Sequence, residues 1–152
     1  MGLDMYLNKK TYVKQWNHQL PEEKYEVTVT KGGKLVTVID PSKITYVEEE
    51  VGYWRKANQI HNWFVNNVQD GDDNCSVYCV HKKQLLELKE LCKKVLADKT
   101  KAYELLPPSE GFFFGSYEID DFYFKDLEKT IDIITELEKS DDFGEITYQS
   151  SW

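Results

Sequence analysis

A chain of 152 residues with 41% apolar and 30% charged side chains has the make-up of a soluble globular protein, expected as a single domain over residues 1–152. Its formal net charge of −8 argues against phosphate-driven binding of duplex nucleic acid, which needs a basic patch. No apolar run approaches the ~18 residues of a membrane span, so no membrane partner is expected.

Aromatics are abundant at 14%, which suits either a partly wet core or a binding surface. The three cysteines, Cys75, Cys79 and Cys92, are an odd number and fit reduced thiols in a cytosol. Met1-Gly2 lacks the Ser or Thr that myristoylation wants at the sixth position, where Tyr6 stands. The first residues have neither the basic segment nor the apolar run of a secretory leader.

In chain order, Leu3–Leu7 reads as a short buried strand and residues 8–23 as a polar connection. Tyr25, Val27 and Val29 alternate with polar residues, the period of a half-buried strand. Gly32-Gly33 suits a tight hairpin turn, with Leu35–Ile39 as the returning strand. Ile44, Tyr46 and Val47 predict a third strand running into Glu48-Glu49-Glu50. Gly52 separates this sheet from the next element, a helix.

Residues 53–68 predict that helix, with two unlike faces. Trp54, Ala57, Ile60, His61, Phe64, Val65 and Val68 form an apolar stripe. Arg55, Asn58, Gln59, Asn62 and Asn66 form the other face. Asparagine is a poor helix former because its amide competes for the backbone. Such a face needs compensation, from a bound ligand or from a buried amide network.

Gln69–Asn74 has the composition of a turn, and Ser76–Val80 of a short strand. Residues 82–97 form a clear helix with Leu85, Leu88, Cys92 and Val95 on one face and Glu90 and Lys94 as an i,i+4 pair. Pro107-Pro108 ends the preceding segment. Gly111-Phe112-Phe113-Phe114-Gly115 cannot place all three rings on one side of a strand. Asp120 and Asp121 open a third helix with Phe124, Leu127, Ile131, Ile134 and Leu137 inward, and Ile146 and Tyr148 predict a closing strand. The fold class is therefore α+β: an antiparallel or mixed sheet with about three helices packed on it.

Few chemical constellations survive. Cys75 and Cys79 on one strand face lie about 13 Å apart at strand rise, too far to share an ion, and read as core cysteines. A Cys–His nucleophile pair with His61 or His81 needs proximity that spacing does not supply. Asp70, Asp72 and Asp73 fail the spacing of a calcium loop. Lys31-Gly32-Gly33-Lys34 is a hairpin tip, not a phosphate loop. No catalytic residue, metal site or cofactor is assigned. The remaining pattern is a binding one. Arg55 and Lys56 suit phosphate or carboxylate. Asn58, Asn62 and Asn66 offer amides, and Tyr53, Trp54, Phe112, Phe113 and Phe114 offer flat faces for stacking. That set fits a nucleotide-like ligand; an aromatic core with a satisfied amide network is the plain alternative.

Three blocks, Met1-Gly2-Leu3-Asp4-Met5-Tyr6-Leu7, Tyr53–Val65 (YWRKANQIHNWFV) and Gly111–Ser116 (GFFFGS), resemble a group of small bacteriophage and prophage proteins without a settled biochemical role. The resemblance implies expression in a bacterial cytoplasm and carries over no catalytic residue. Its class prior is action against host defence. The expected partners are then a small nucleotide-like immune signal or a host defence protein. An acidic protein-protein inhibitor of a host nuclease, using Glu48–Glu50, Asp70–Asp73 and Asp141–Asp142, is the alternative. A small Cys/His hydrolase or transferase is a further one.

Overall fold

The computed structural model describes residues 2–152. It is an α+β fold whose main sheet has four antiparallel strands. These are β1 (Asp4–Tyr12), β4 (Tyr46–Arg55), β5 (Tyr78–Val80) and β6 (Glu145–Ser151), in the order β4-β1-β6-β5. The register of β5 on β6 sets Tyr78 opposite Tyr148 and Val80 opposite Ile146. The helices are α1 (Asn58–Asn67), α2 (Lys82–Ala97), the short α3 (Ala102–Leu105) and α4 (Asp121–Glu138).

The chain divides into two compact units. The first comprises residues 1–9 and 50–152. Its core takes Leu3, Met5 and Leu7 from the start of the chain and β1, Trp54 from β4, and Ile146 and Tyr148 from β6. These alternate along their strands, so they share one sheet face. Ile60 and Phe64 of α1, Leu88 and Cys92 of α2, and Leu127 and Ile134 of α4 complete it. Tyr148 stacks on Phe64 with ring centroids 3.9 Å apart. The helix read over 82–97 has those bounds. Asp120 caps α4 by accepting from the N–H groups of Phe122 and Tyr123, which satisfies two otherwise orphaned donors.

The second unit, Lys10–Glu49, is built differently. Val13 donates its N–H to the Thr45 carbonyl at 2.9 Å. A hairpin pairs β2 (Thr30–Lys31) with β3 (Lys34–Leu35), and Gly32 and Gly33 both have positive φ, as its two-residue turn requires. Val13 is the one buried residue in this unit.

Several expectations are corrected. Tyr53, Trp54 and Arg55 are strand, not helix, and Gly52 lies inside β4 rather than between elements. Gly52 and Trp54 alternate inward, and a Cβ on Gly52 would meet Ile133 Cγ2 at 2.9 Å, so helix α4 dictates glycine there. The turn comes at Lys56, which takes a left-handed φ of 60°. β1 runs on to Tyr12, into what reads as polar connection, because strand pairing satisfies its backbone whatever the side chains. Residues 25–29 and 36–39, read as strand, form none; their alternation has no core to face. Gly111–Ser116 is a turn in which, as its sequence requires, the three rings part: Phe112 is exposed, Phe113 half-buried and Phe114 buried. Cys75 and Cys79 are not core residues: Cys75 sits half-buried ahead of β5 with φ 59°, and Cys79 is exposed. Cys92 is the buried cysteine, its thiol pushed up to about 12 by burial. Glu90 pairs with Lys93 at 2.8 Å rather than with Lys94.

Candidate functional site

The site is organised by Asn58 in the first turn of α1. Its side chain is buried, and its amide bonds to three backbone groups of one loop. Oδ1 accepts from Ser109 N–H at 3.1 Å, and Nδ2 donates to the carbonyls of Phe114 at 3.1 Å and Ser116 at 2.8 Å. Both amide protons are thus consumed by the chain itself. Asn58, expected as a ligand-binding residue, positions loop 109–116 and lines neither of the hollows beside it. Leu3 N–H adds a bond to the Phe113 carbonyl at 3.1 Å.

Two hollows flank this loop. One, of about 300 Å³, has Arg55 and Lys56 on a wall and Gln59, Tyr123 and Asp126 among its other lining residues. Gln59 is 3% exposed; its Nε2 donates to the Tyr123 carbonyl at 3.2 Å and more weakly to Asp126 Oδ2 at 3.4 Å. Burial raises the Asp126 carboxyl to about 6, against the opposing pull of the Gln59 amide and Lys129. Arg55 makes a long contact to Asp4, 3.4 Å, and meets the Tyr53 hydroxyl, and its side chain is mostly in water. Lys56 packs its stem beside Gly115, where a Cβ would approach Lys56 Cβ to 3.1 Å. The hollow therefore offers two cations, Arg55 and Lys56, among three carboxyls, Glu118, Asp120 and Asp126.

The other hollow, about 470 Å³, is lined by Asn62, Phe112, Phe113, Phe114 and Trp152, with His61 and Asp73 at one side. His61 is fully buried. Its Nδ1 lies 2.7 Å from Tyr148 Oη and its Nε2 2.9 Å from Asp73 Oδ2. Trp152 Nε1 donates to the other Asp73 oxygen at 3.1 Å. Burial holds the Tyr148 hydroxyl well above the usual tyrosine range, with the charge of Asp73 adding to it. Nε2 faces a carboxylate, which can only accept, and so donates to Asp73; in the tautomer with Nδ1 bare, the Tyr148 hydroxyl is the donor to Nδ1. Both ring nitrogens are engaged, so neither is left for a cysteine.

The residues expected to hold a ligand are thereby divided. Arg55 and Lys56 line the first hollow, and Asn62 and Phe112–Phe114 the second. Trp54 lines neither: it is 1% exposed, and its Nε1 donates to Thr130 Oγ1 at 2.9 Å inside the core. Tyr53 lines neither hollow; its hydroxyl bonds Asp4 and meets the Arg55 side chain, and its ring packs on Tyr6. Asn66 is exposed, and its Nδ2 donates to Asn62 Oδ1 at 3.1 Å. Sequence reasoning missed Gln59 as a lining residue and Asp126 altogether, and weighed Asp73 only as part of an acidic turn; the only sequence signal of the two acids is a carboxylate on or just after a helix. No group of His, Cys, Asp or Glu among the described residues has the arrangement of a metal site. No helix there is long and apolar enough to cross a membrane. No protein family, curated protein or solved structure matches this chain.

Proposed function

We propose that this is a phage-encoded, non-enzymatic binding protein that counters host defence by taking up a nucleotide-derived signal in the Arg55–Lys56 hollow. The observation that carries the reading is that Arg55 and Lys56 share one hollow with the carboxyls of Glu118, Asp120 and Asp126, so that cations and acceptors face the same space. Cations meet phosphate, and the Asp126 carboxylate, held by the buried Gln59 amide, is left to accept from an amino group of a base. A volume near 300 Å³ lies at the lower end of small-ligand sites and suits a mononucleotide or one end of a larger signal. Phe122, exposed at the rim, supplies a stacking face. The phage origin rests on the resemblance of the three sequence blocks.

Calorimetry against mononucleotides, cyclic nucleotides and ADP-ribose derivatives tests it. Binding by at least one member, weakened about tenfold or more by Arg55→Ala, is expected. Silence across the panel overturns the reading.

A second reading, an acidic inhibitor of a basic host protein, has its own support. Lys10–Glu49 carries six lysines against six carboxylates, so the whole −8 belongs to the other unit. Capture of a host protein that is lost on neutralising Asp141 and Asp142 favours it; salt-insensitive capture speaks against it.

A further inference from the structure

The unit Lys10–Glu49 has an inverted surface. It contains nine of the fifteen large hydrophobic side chains exposed among the described residues, Tyr12, Trp16, Leu20, Leu35, Val38 and Tyr46 among them. Val38 is 89% exposed. Forty residues with a single buried side chain cannot be stabilised by a core of their own. Scattered surface hydrophobes are ordinary; this concentration is what marks an interaction surface.

We propose that this unit is a self-association arm, and that its occupant is the same arm of a second copy of the chain. Three observations favour a second copy. The first is charge. The arm is neutral, whereas the rest of the chain carries −8. Arms can meet without repulsion, while contact between the acidic units would be opposed. The second is area. Nine large apolar side chains are exposed within forty residues, a concentration on the scale of an interface of roughly 800 Å² per partner rather than of scattered surface hydrophobes. The third is a knob and a hole on one unit. A hollow of about 530 Å³, lined by Val13, Tyr25 and Ile44 and also by Gln15, Asn17 and Glu26, lies in the same arm as the projecting Val38 and Leu35. A two-fold pair needs such self-complementarity.

The arm's aromatics are already held in place. Trp16 Nε1 donates to Tyr12 Oη at 3.0 Å, Lys14 Nζ lies 4.6 Å over the Trp16 ring, and Tyr12 meets Tyr46 edge to face at 5.2 Å. Anchors fixed before docking lose little rotamer entropy on binding. The sheet edge is a poor alternative route. β4 is an outer strand, and its exposed Glu48, Glu49 and Glu50 would meet the same run in an antiparallel copy.

Sedimentation equilibrium of the full chain across a range of micromolar concentrations tests the proposal. Twice the 17.9 kDa chain mass at the upper end is expected. Val38→Glu with Trp16→Glu should weaken the dimer at least ~100-fold. Val38→Glu alone, at a side chain almost wholly in water, should weaken it with unchanged far-ultraviolet dichroism. Tyr103→Glu, also at an exposed side chain but outside the arm, should leave the mass unchanged. A monomer at every concentration overturns the proposal, including one that only captures a different protein. So does a dimer that survives the double substitution.

Discussion

His61 Nε2 lies 2.9 Å from the Asp73 carboxylate, across the turn that follows α1. On its other side the imidazole is 2.7 Å from Tyr148 Oη, so a fully buried histidine is satisfied at both nitrogens. Tyr148→Phe leaves Nδ1 buried without a donor and is expected to cost about 1–3 kcal/mol in urea unfolding. Asp73→Asn keeps an acceptor for Nε2–H and should cost less, about 1 kcal/mol. Equal stability of Tyr148→Phe and the parent would show that this chain of bonds does not support the fold.

Asn58→Ala removes three bonds to loop 109–116 and leaves buried backbone groups without partners. The expected loss is about 3 kcal/mol, because each orphaned group costs about 1–3 kcal/mol less what water recovers. Asn58→Asp should fare no better, since a carboxylate then faces the Phe114 and Ser116 carbonyls. Limited proteolysis should cut the 109–116 loop faster in both variants. An unchanged cleavage rate contradicts the positioning role.

The Asp126 carboxyl, raised by burial to about 6 from 3.8, binds its proton more tightly in the folded chain than in the unfolded one. Its stabilising contribution is therefore complete below about pH 4 and is lost as pH rises through about 6. Asp126→Asn should match the parent below pH 4 and exceed it above pH 6 by about 1–2 kcal/mol, a figure reduced because the carboxyl is partly solvated. Nucleotide affinity should move the other way, weaker in Asp126→Asn, and in the parent tighter above pH 6. Unfolding curves that run parallel from pH 4 to 7 would remove the burial argument.

Lys56 holds a left-handed φ of 60° that glycine adopts without a Cβ penalty. Lys56→Gly is expected to gain up to ~1 kcal/mol of stability while losing affinity in calorimetry. Lys56→Ala should lose affinity without the gain. A stabilised Lys56→Gly variant with full affinity would mean that the strain serves the chain reversal alone.

Gly52→Ala pushes a methyl into Ile133 Cγ2 at 2.9 Å and Leu7 Cβ at 3.2 Å. Overpacking between a strand and α4 should cost about 1–3 kcal/mol, read as a lower midpoint in urea. An unshifted midpoint would show that α4 can move away freely.

Period alone determined the helices over 82–97 and from Asp121 onward, the hairpin at Gly32-Gly33, and the α+β class, because each requirement there is local: a 3.6-residue stripe, an N-cap, a turn needing positive φ. Sequence also marked the asparagine-rich turn of α1 as a place needing compensation. Tertiary structure decided what compensates: for Asn58 it is the backbone of a loop more than fifty residues away. It likewise decided that Trp54 ends a strand, that Asp126 and Asp73 face hollows, and that the alternating run at 25–29 covers no core. Strand pairing, burial and hydrogen bonds between distant residues depend on which segments fold together, and a single chain's local pattern carries no term for that.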